Sequence, residues 1–204
     1  MAQITSGWRA LLSSPKVYDA FQNLMGGRRR GTFVEEFIRP HMGARLLDIG
    51  CGTAQLLEFL PGDATYVGYD PSPEYIAHAR YRYGDRGEFH LGQFNAAEAA
   101  ASQPFDLVTA CGVLHHLDDI QAQELIALAR RVLLPGGRFI SIDPTYSKDQ
   151  NWFSYLLVSR DRGQNVRFGQ EYDELAKPYF REINGTLRHR RWIPYTHWIM
   201  ECEV

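Results

Sequence analysis

No apolar run in the 204 residues approaches the ~20 that a membrane-spanning helix requires, so no membrane partner is expected. The opening residues, MAQITSGWRALLSSP, lack a basic start followed by a long apolar stretch; no secretory leader is expected, and the protein reads as cytoplasmic. A surplus of one charge is also missing. The 22 Lys and Arg oppose 24 Asp and Glu for a net charge of −2, which argues against a general nucleic-acid binder that would need a basic excess to neutralise phosphates. Cysteine is scarce: Cys51, Cys111 and Cys202 are odd in number and widely spaced, and read as free thiols in a reducing compartment. With no C-x-x-C pair and no Cys/His cluster at ligand spacing, no metal site is expected. A length of 204 residues allows one sizeable core but not two full catalytic domains, so residues 1–204 form one expected domain.

What the chain does have is the run LLDIGCGTA, Leu46 to Ala54. Leu46, Leu47 and Ile49 have the character of a strand buried on both faces, and Gly50 and Gly52 let backbone approach a ligand closely. A helix is expected from Thr53 onward. The dinucleotide-binding spacing G-x-G-x-x-G fails here, because its third glycine would fall at Gln55. Asp48 beside the turn also suits a cationic ligand and would repel a pyrophosphate. In this run, with an acid two places ahead of a glycine-rich turn, the chain resembles the class I S-adenosylmethionine-dependent methyltransferases. That pattern has a third small residue at position 54, where this chain has Ala54 rather than glycine.

Downstream, short apolar strands alternate with helical patterns, the signature of a parallel sheet covered on both faces. Strands are expected at 65–70, 88–91, 105–111 and 138–143. Helices are expected from Pro73, capped by Ser72 and stopped by Gly84, near Ala96 to Ala101, and from Asp118 or Asp119, with Leu125, Leu128, Ala129, Val132 and Leu133 on the buried side. Beyond Asp143 a helix over 151–160, a loop over 161–170, a short helix over 171–179 and strands near 183–189 and 196–202 are expected. Helices over 15–25 and 32–39 would form an N-terminal cover. The resemblance implies an α/β, Rossmann-like seven-stranded sheet in the order 3-2-1-4-5-7-6, with the last strand antiparallel. It divides the chain into the cover at 1–43, a cofactor-binding core at 44–143, and a substrate-side insertion and terminal hairpin at 144–204.

Asp70 ends the second strand twenty positions after Gly50, where open sheets place the acid that binds a ribose diol, and Pro71 would touch the adenine ring. The resemblance implies that Asp48, Gly50, Cys51, Gly52, Asp70, Pro71, Gln93, Phe94 and Cys111 surround S-adenosyl-L-methionine, with S-adenosyl-L-homocysteine as product. Gln93 stands where the family commonly has an acid on the adenine amine, and Phe94 would pack on the base or serve as a core phenylalanine. Cys51 and Cys111 read as small residues at crowded positions rather than nucleophiles, with no activating base at hand.

His116 and then His115 are the candidate general bases, at the rim where ligands bind. Asp143, Arg162, Arg167, Tyr195 and His197 are candidates for the acceptor side; the alternative for the arginines is a salt-bridge knot within the loop. Tyr18 and one of Arg28 to Arg30 are candidates for the cofactor carboxylate. The expected function is methyl transfer to oxygen or nitrogen of a small-molecule acceptor, such as a natural-product or sugar precursor, by a monomer or homodimer. The alternative is a module that binds the cofactor without transferring methyl.

Overall fold

The computed structural model describes residues 31–148, 150, 152–159, 163–189 and 196–204. Five strands run parallel: β1 (Arg45–Ile49), β2 (Thr65–Asp70), β3 (Glu88–Leu91), β4 (Phe105–Cys111) and β5 (Leu133–Tyr146). A two-residue strand, β6 (Arg167–Phe168), pairs only with the end of β5, and β7 (Glu182–His189) and β8 (Thr196–Glu203) close the sheet. The order is β3-β2-β1-β4-β5-β8-β7, with β8 antiparallel to both neighbours. The expected topology therefore holds, and β6 only advances the numbering of the last two strands.

Alternation along each strand splits the apolar residues between two cores, which is why β1 reads as a continuous hydrophobic run. Leu47, Ile49, Val67, Tyr69, Val108 and Phe139 face one side, under α2 (Ala96–Ala101), α3 (Asp119–Val132) and α5 (Gly169–Ala176). Leu46, Tyr66, Leu107, Ile140 and Ile199 face the other, with α1 (Pro73–Tyr83) and the turn Val34–Ile38. A further helix, α4 (Trp152–Ser159), follows β5.

Local chemistry explains most helix ends. Ser72 accepts the Tyr75 N–H with Pro73 in the first turn, Asn95 accepts from Ala97 and Glu98, and Asp118 forms a capping box with Gln121. A cap contributes about 1 kcal/mol, whereas each fully buried Ile or Leu side chain contributes ~1.5–3 kcal/mol, so packing sets the rotation of α3. Its buried stripe is Ala122, Ile126, Ala129 and Val132; Leu125 and Leu128 lie at the stripe's edge, half-buried, rather than at its centre.

Two other expectations are corrected. After the glycine turn there is no α-helix but a 3₁₀ turn, Gln55–Phe59, because few residues remain before β2 and Pro61 with Gly62 interrupts them. The stretch expected as a loop over 161–170 contains β6 and the start of α5. The cover helix expected over 32–39 is present: residues 31–33 are α-helical and continue into a π-helical turn, Val34–Ile38, ended by Arg39 in the left-handed conformation. That turn is clamped to the far end of the chain. Arg138 donates to the Phe37 carbonyl at 2.8 Å and to that of Ile38, Arg39 pairs with Glu201, and Arg188 pairs with Glu36 while lying 4.9 Å from the Phe37 ring centre. The helix expected over 15–25 lies outside the described residues.

Candidate active site

The loops that follow β1, β2, β3 and β4 meet at the carboxyl ends of the parallel strands, where open α/β sheets bind ligands. The Gly50 and Cys51 N–H groups both donate to the Tyr69 carbonyl, at 2.8 and 3.0 Å. Asp70 ties three segments together: Oδ2 accepts the Gly52 N–H at 2.9 Å, Oδ1 accepts the Ser72 N–H at 2.8 Å, and its backbone carbonyl accepts the Gly92 N–H at 3.0 Å. Gly50 is required twice over. Its φ is +76°, and a Cβ there would stand 2.5 Å from Val113 Cγ2, in the loop after β4. Ala54 also takes a positive φ, +57°, while fully buried, at a cost of about 1–2 kcal/mol that a glycine would not incur.

Asp48 lies below this loop, 3% exposed, its Oδ2 accepting the Tyr66 hydroxyl at 2.7 Å and its Oδ1 the Thr109 hydroxyl at 2.8 Å. Burial and then the nearby Asp48 push the Tyr66 hydroxyl well up, so it remains a donor. Burial, reinforced by Asp48 and Asp70, likewise pushes the Cys51 thiol up, which keeps it protonated and unsuited to nucleophilic attack. The Asp70 carboxyl is also raised, by burial first, against the opposing N–H groups of Ser72 and Gly52. The donor set fits a cationic ligand without phosphate: two buried carboxylates stand beside the loop, with Pro71 and Gln93 exposed at its rim. Phe94 takes the second of its two expected places. Its ring is taken up by the core, edge-on to Tyr69 at 5.2 Å.

Cys111 and Gly112 end β4, and the 3₁₀ turn Leu114–His116 carries the two histidines into α3. His115 is 5% exposed and Asp143 is 1% exposed. Asp143 Oδ1 lies 2.8 Å from His115 Nδ1 and also accepts the His115 N–H at 3.2 Å. A carboxylate at Nδ1 fixes the tautomer with the proton there and leaves Nε2 basic. His116 is half-buried beside it, with ring centres 4.1 Å apart. Of the two histidines, the carboxylate partner falls to His115, the second of the expected candidates. Asp143, expected as a floor for the acceptor, spends Oδ1 on His115.

Arg167 is not an acceptor-binding side chain. Its five N–H donors are spent on the protein: Nε and Nη2 on Asp119, Nη1 on the Leu114 and Asn165 carbonyls, and Nη2 also on the Leu117 carbonyl, at 2.7–3.0 Å. For Arg167 the arrangement is a salt-bridged knot whose counter-charge, Asp119, comes from outside the loop. His197 pairs in register with Pro144 while Trp198 pairs with Asp143. Trp198 Nε1 donates to Asp173 on α5, so His197 points to the opposite face of the sheet from Asp143 and His115. Arg162, Tyr195, Asp161, Tyr18 and Arg28 to Arg30 lie outside the described residues. Tyr66, Thr109, Val113 and Asp119 are missed by sequence reasoning; alternation along β2 and β4 places Tyr66 and Thr109 on the Asp48 face, a signal that was there to use.

A family model described as a methyltransferase domain matches residues 47–139. The chain is 32% identical over 174 residues to a ubiquinone biosynthesis O-methyltransferase of Methylobacterium nodulans, covering 78% of this chain and 68% of that protein. It is 33% identical over 119 residues to a protein of the same name from Bradyrhizobium, covering 57% of this chain and 44% of that one. The match to an uncharacterized methyltransferase of Geobacillus thermodenitrificans takes in 64% of that protein, so the chain spans less than two thirds of the length of both these last relatives. An N-methyltransferase of Haemonchus contortus, solved with phosphomonomethylethanolamine and S-adenosylhomocysteine, matches with a TM-score of 0.71 at 16% identity, over 98% of this chain and 60% of that one, a likeness of fold.

Proposed function

The chain belongs to the class I S-adenosylmethionine-dependent methyltransferases, and we propose that it transfers methyl to a hydroxyl oxygen of a small-molecule acceptor. The observation that carries the choice of oxygen is the buried His115–Asp143 pair at the rim beside the glycine loop. S-adenosylmethionine supplies an electrophilic methyl on a sulfonium, so the protein's work is alignment, exclusion of water and proton removal. An amine that arrives neutral needs no base, whereas a hydroxyl gains nucleophilicity as its proton leaves. His115 Nε2 takes that proton, and Asp143 stabilises the imidazolium that results. The relatives named as O-methyltransferases support the same choice.

For the cofactor, the Asp70 carboxylate is the acceptor for the ribose diol, retaining lone pairs beyond the two backbone bonds. Gln93, exposed at the end of the third crossover strand, offers a carbonyl and an amide to the adenine edge. Gly50 to Gly52 and the backbone at Cys111 and Gly112 line the amino-acid portion, with Asp48 supplying negative charge beneath it.

Two measurements test this. Titration calorimetry with S-adenosylhomocysteine is expected to show binding, and its absence overturns the reading. Mass spectrometry of a hydroxylated acceptor under single-turnover conditions is expected to show one added methyl. Cofactor binding with no methyl gained by any hydroxyl or amine acceptor favours the binding module instead.

A further inference from the structure

Between α4 and α5 a short strap, Gly163 to Phe168, lies against the histidine turn. The Asn165 N–H donates to the His115 carbonyl at 3.0 Å. Gly163 sits so close that a Cβ there would stand 2.1 Å from His115 Cδ2 and 2.5 Å from the His115 carbonyl oxygen. Arg167 grips the same turn at both ends, through the carbonyls of Leu114 at 3.0 Å and Leu117 at 2.8 Å, with Asp119 as counter-charge. Behind this grip, β6 pairs with β5 at Thr145 and Tyr146, and the Thr145 hydroxyl donates to the Arg167 carbonyl at 2.9 Å. The strap is therefore tied on one side to the turn that carries His115 and on the other to the strand that carries Asp143.

We propose that the strap is a positioning device, in which Gly163 and Arg167 fix the His115 ring against Asp143 and so set turnover rather than cofactor affinity. The proposal rests on His115 as the base. The three-residue turn Leu114–His116 is too short to hold an imidazole in one place by its own hydrogen bonds. Arginine suits the task because its planar fork directs five donors, whereas a lysine ammonium is a point charge that cannot span two carbonyls and a carboxylate. Gly163 sets the distance of the strap from the ring, because any side chain there would have to displace the imidazole. The described close contacts of Gly163 and hydrogen bonds of the Arg167 guanidinium fall on the His115 turn, Asp119 and the strap itself, so the proposal separates both residues from cofactor binding.

The test uses the full chain as G163A, R167M and R167K, read by kcat, KM, S-adenosylhomocysteine affinity and the downfield proton resonance of the His115 Nδ1–H, assigned by its loss in H115Q. Expected are a fall in kcat of about 10–100-fold, as misplacement of a reacting group by about 1 Å brings, cofactor affinity within about twofold of wild type on the additivity of separated sites, and a broadened or absent resonance. R167K is expected to recover less than half of the loss on a logarithmic scale, because its ammonium cannot replace the fork. Retained resonance with unchanged kcat in G163A and R167K overturns the proposal. So does a fall in kcat matched by an equal loss of cofactor affinity, which would make the strap a purely structural element. Should R167M fail to fold, the other two variants carry the comparison. The resonance needs no turnover, so if H115Q still transfers methyl the base assignment falls while the strap's hold on the ring is decided independently.

Discussion

In the half of the rim built by β1 to β3, backbone N–H groups do the holding: Gly50, Cys51, Gly52, Ser72 and Gly92 all donate to Tyr69 or Asp70. In the half built by β4 to β6, side chains do it: Asp143 holds His115, and Arg167 holds the turn around it from about fifty residues away in sequence. A ligand shared by a whole family can be met by backbone, which is indifferent to side-chain change. The acceptor of the proposed function falls to the half where side chains do the holding.

The comparison predicts different failures on the two sides. The largest effect is expected for H115A, with kcat falling by about 10²–10⁴-fold as for loss of a general base, and S-adenosylhomocysteine affinity unchanged by calorimetry. An equal loss of cofactor affinity would break the division between the halves. Next comes G50A, which forces a methyl onto Val113 at a positive φ and is expected to lose about 2–4 kcal/mol in urea unfolding together with cofactor binding. Y66F removes one of the two hydroxyls on buried Asp48 and is expected to cost about 1–3 kcal/mol of stability, with little change in KM for the acceptor.

A smaller effect concerns pH. Burial raises the Asp70 carboxyl, so on acidification it takes up its proton above the ordinary carboxylate range, and S-adenosylhomocysteine affinity is expected to begin falling there. The fall is expected to approach about 1.4 kcal/mol per pH unit below that point, read by calorimetry across pH 4 to 7. The sign for folding is opposite: a raised pKa favours the protonated folded state, so this group's stabilising contribution is present at low pH and is lost as pH rises through its folded value. The smallest effect is that of D118A, about 1 kcal/mol from the lost α3 cap in thermal unfolding, with kcat nearly unchanged.

The backbone half is the more legible in sequence. A strand, a carboxylate and spaced glycines are local signals, and Ser72, Pro73 and Gly84 bound α1 as their chemistry dictates. The 3₁₀ turn after Ala54 is less so, because Gln55 to Leu60 suits a helix and only the distance to β2 forbids one. His115 and Asp143 stand 28 positions apart, and nothing local tells a histidine held by a distant carboxylate from its neighbour. Arg167 misleads for a related reason: an arginine in a glycine-containing loop has the same sequence appearance whether its fork meets a ligand or the backbone of another turn.

The order β5-β8-β7 has a kinetic consequence. The last strand of the sheet along the chain is an interior one, and β7 touches the sheet only through it. As the chain emerges during synthesis, β7 has no strand partner among the described residues until β8 follows, so its backbone pairs late. Part of the clamp on Val34–Ile38 waits with it: Glu201 and Arg188 come from that hairpin, while Arg138 comes from β5. The earliest described turn thus takes its last two ion pairs from the strands that pair latest, which couples the two ends of the described chain on one face of the sheet.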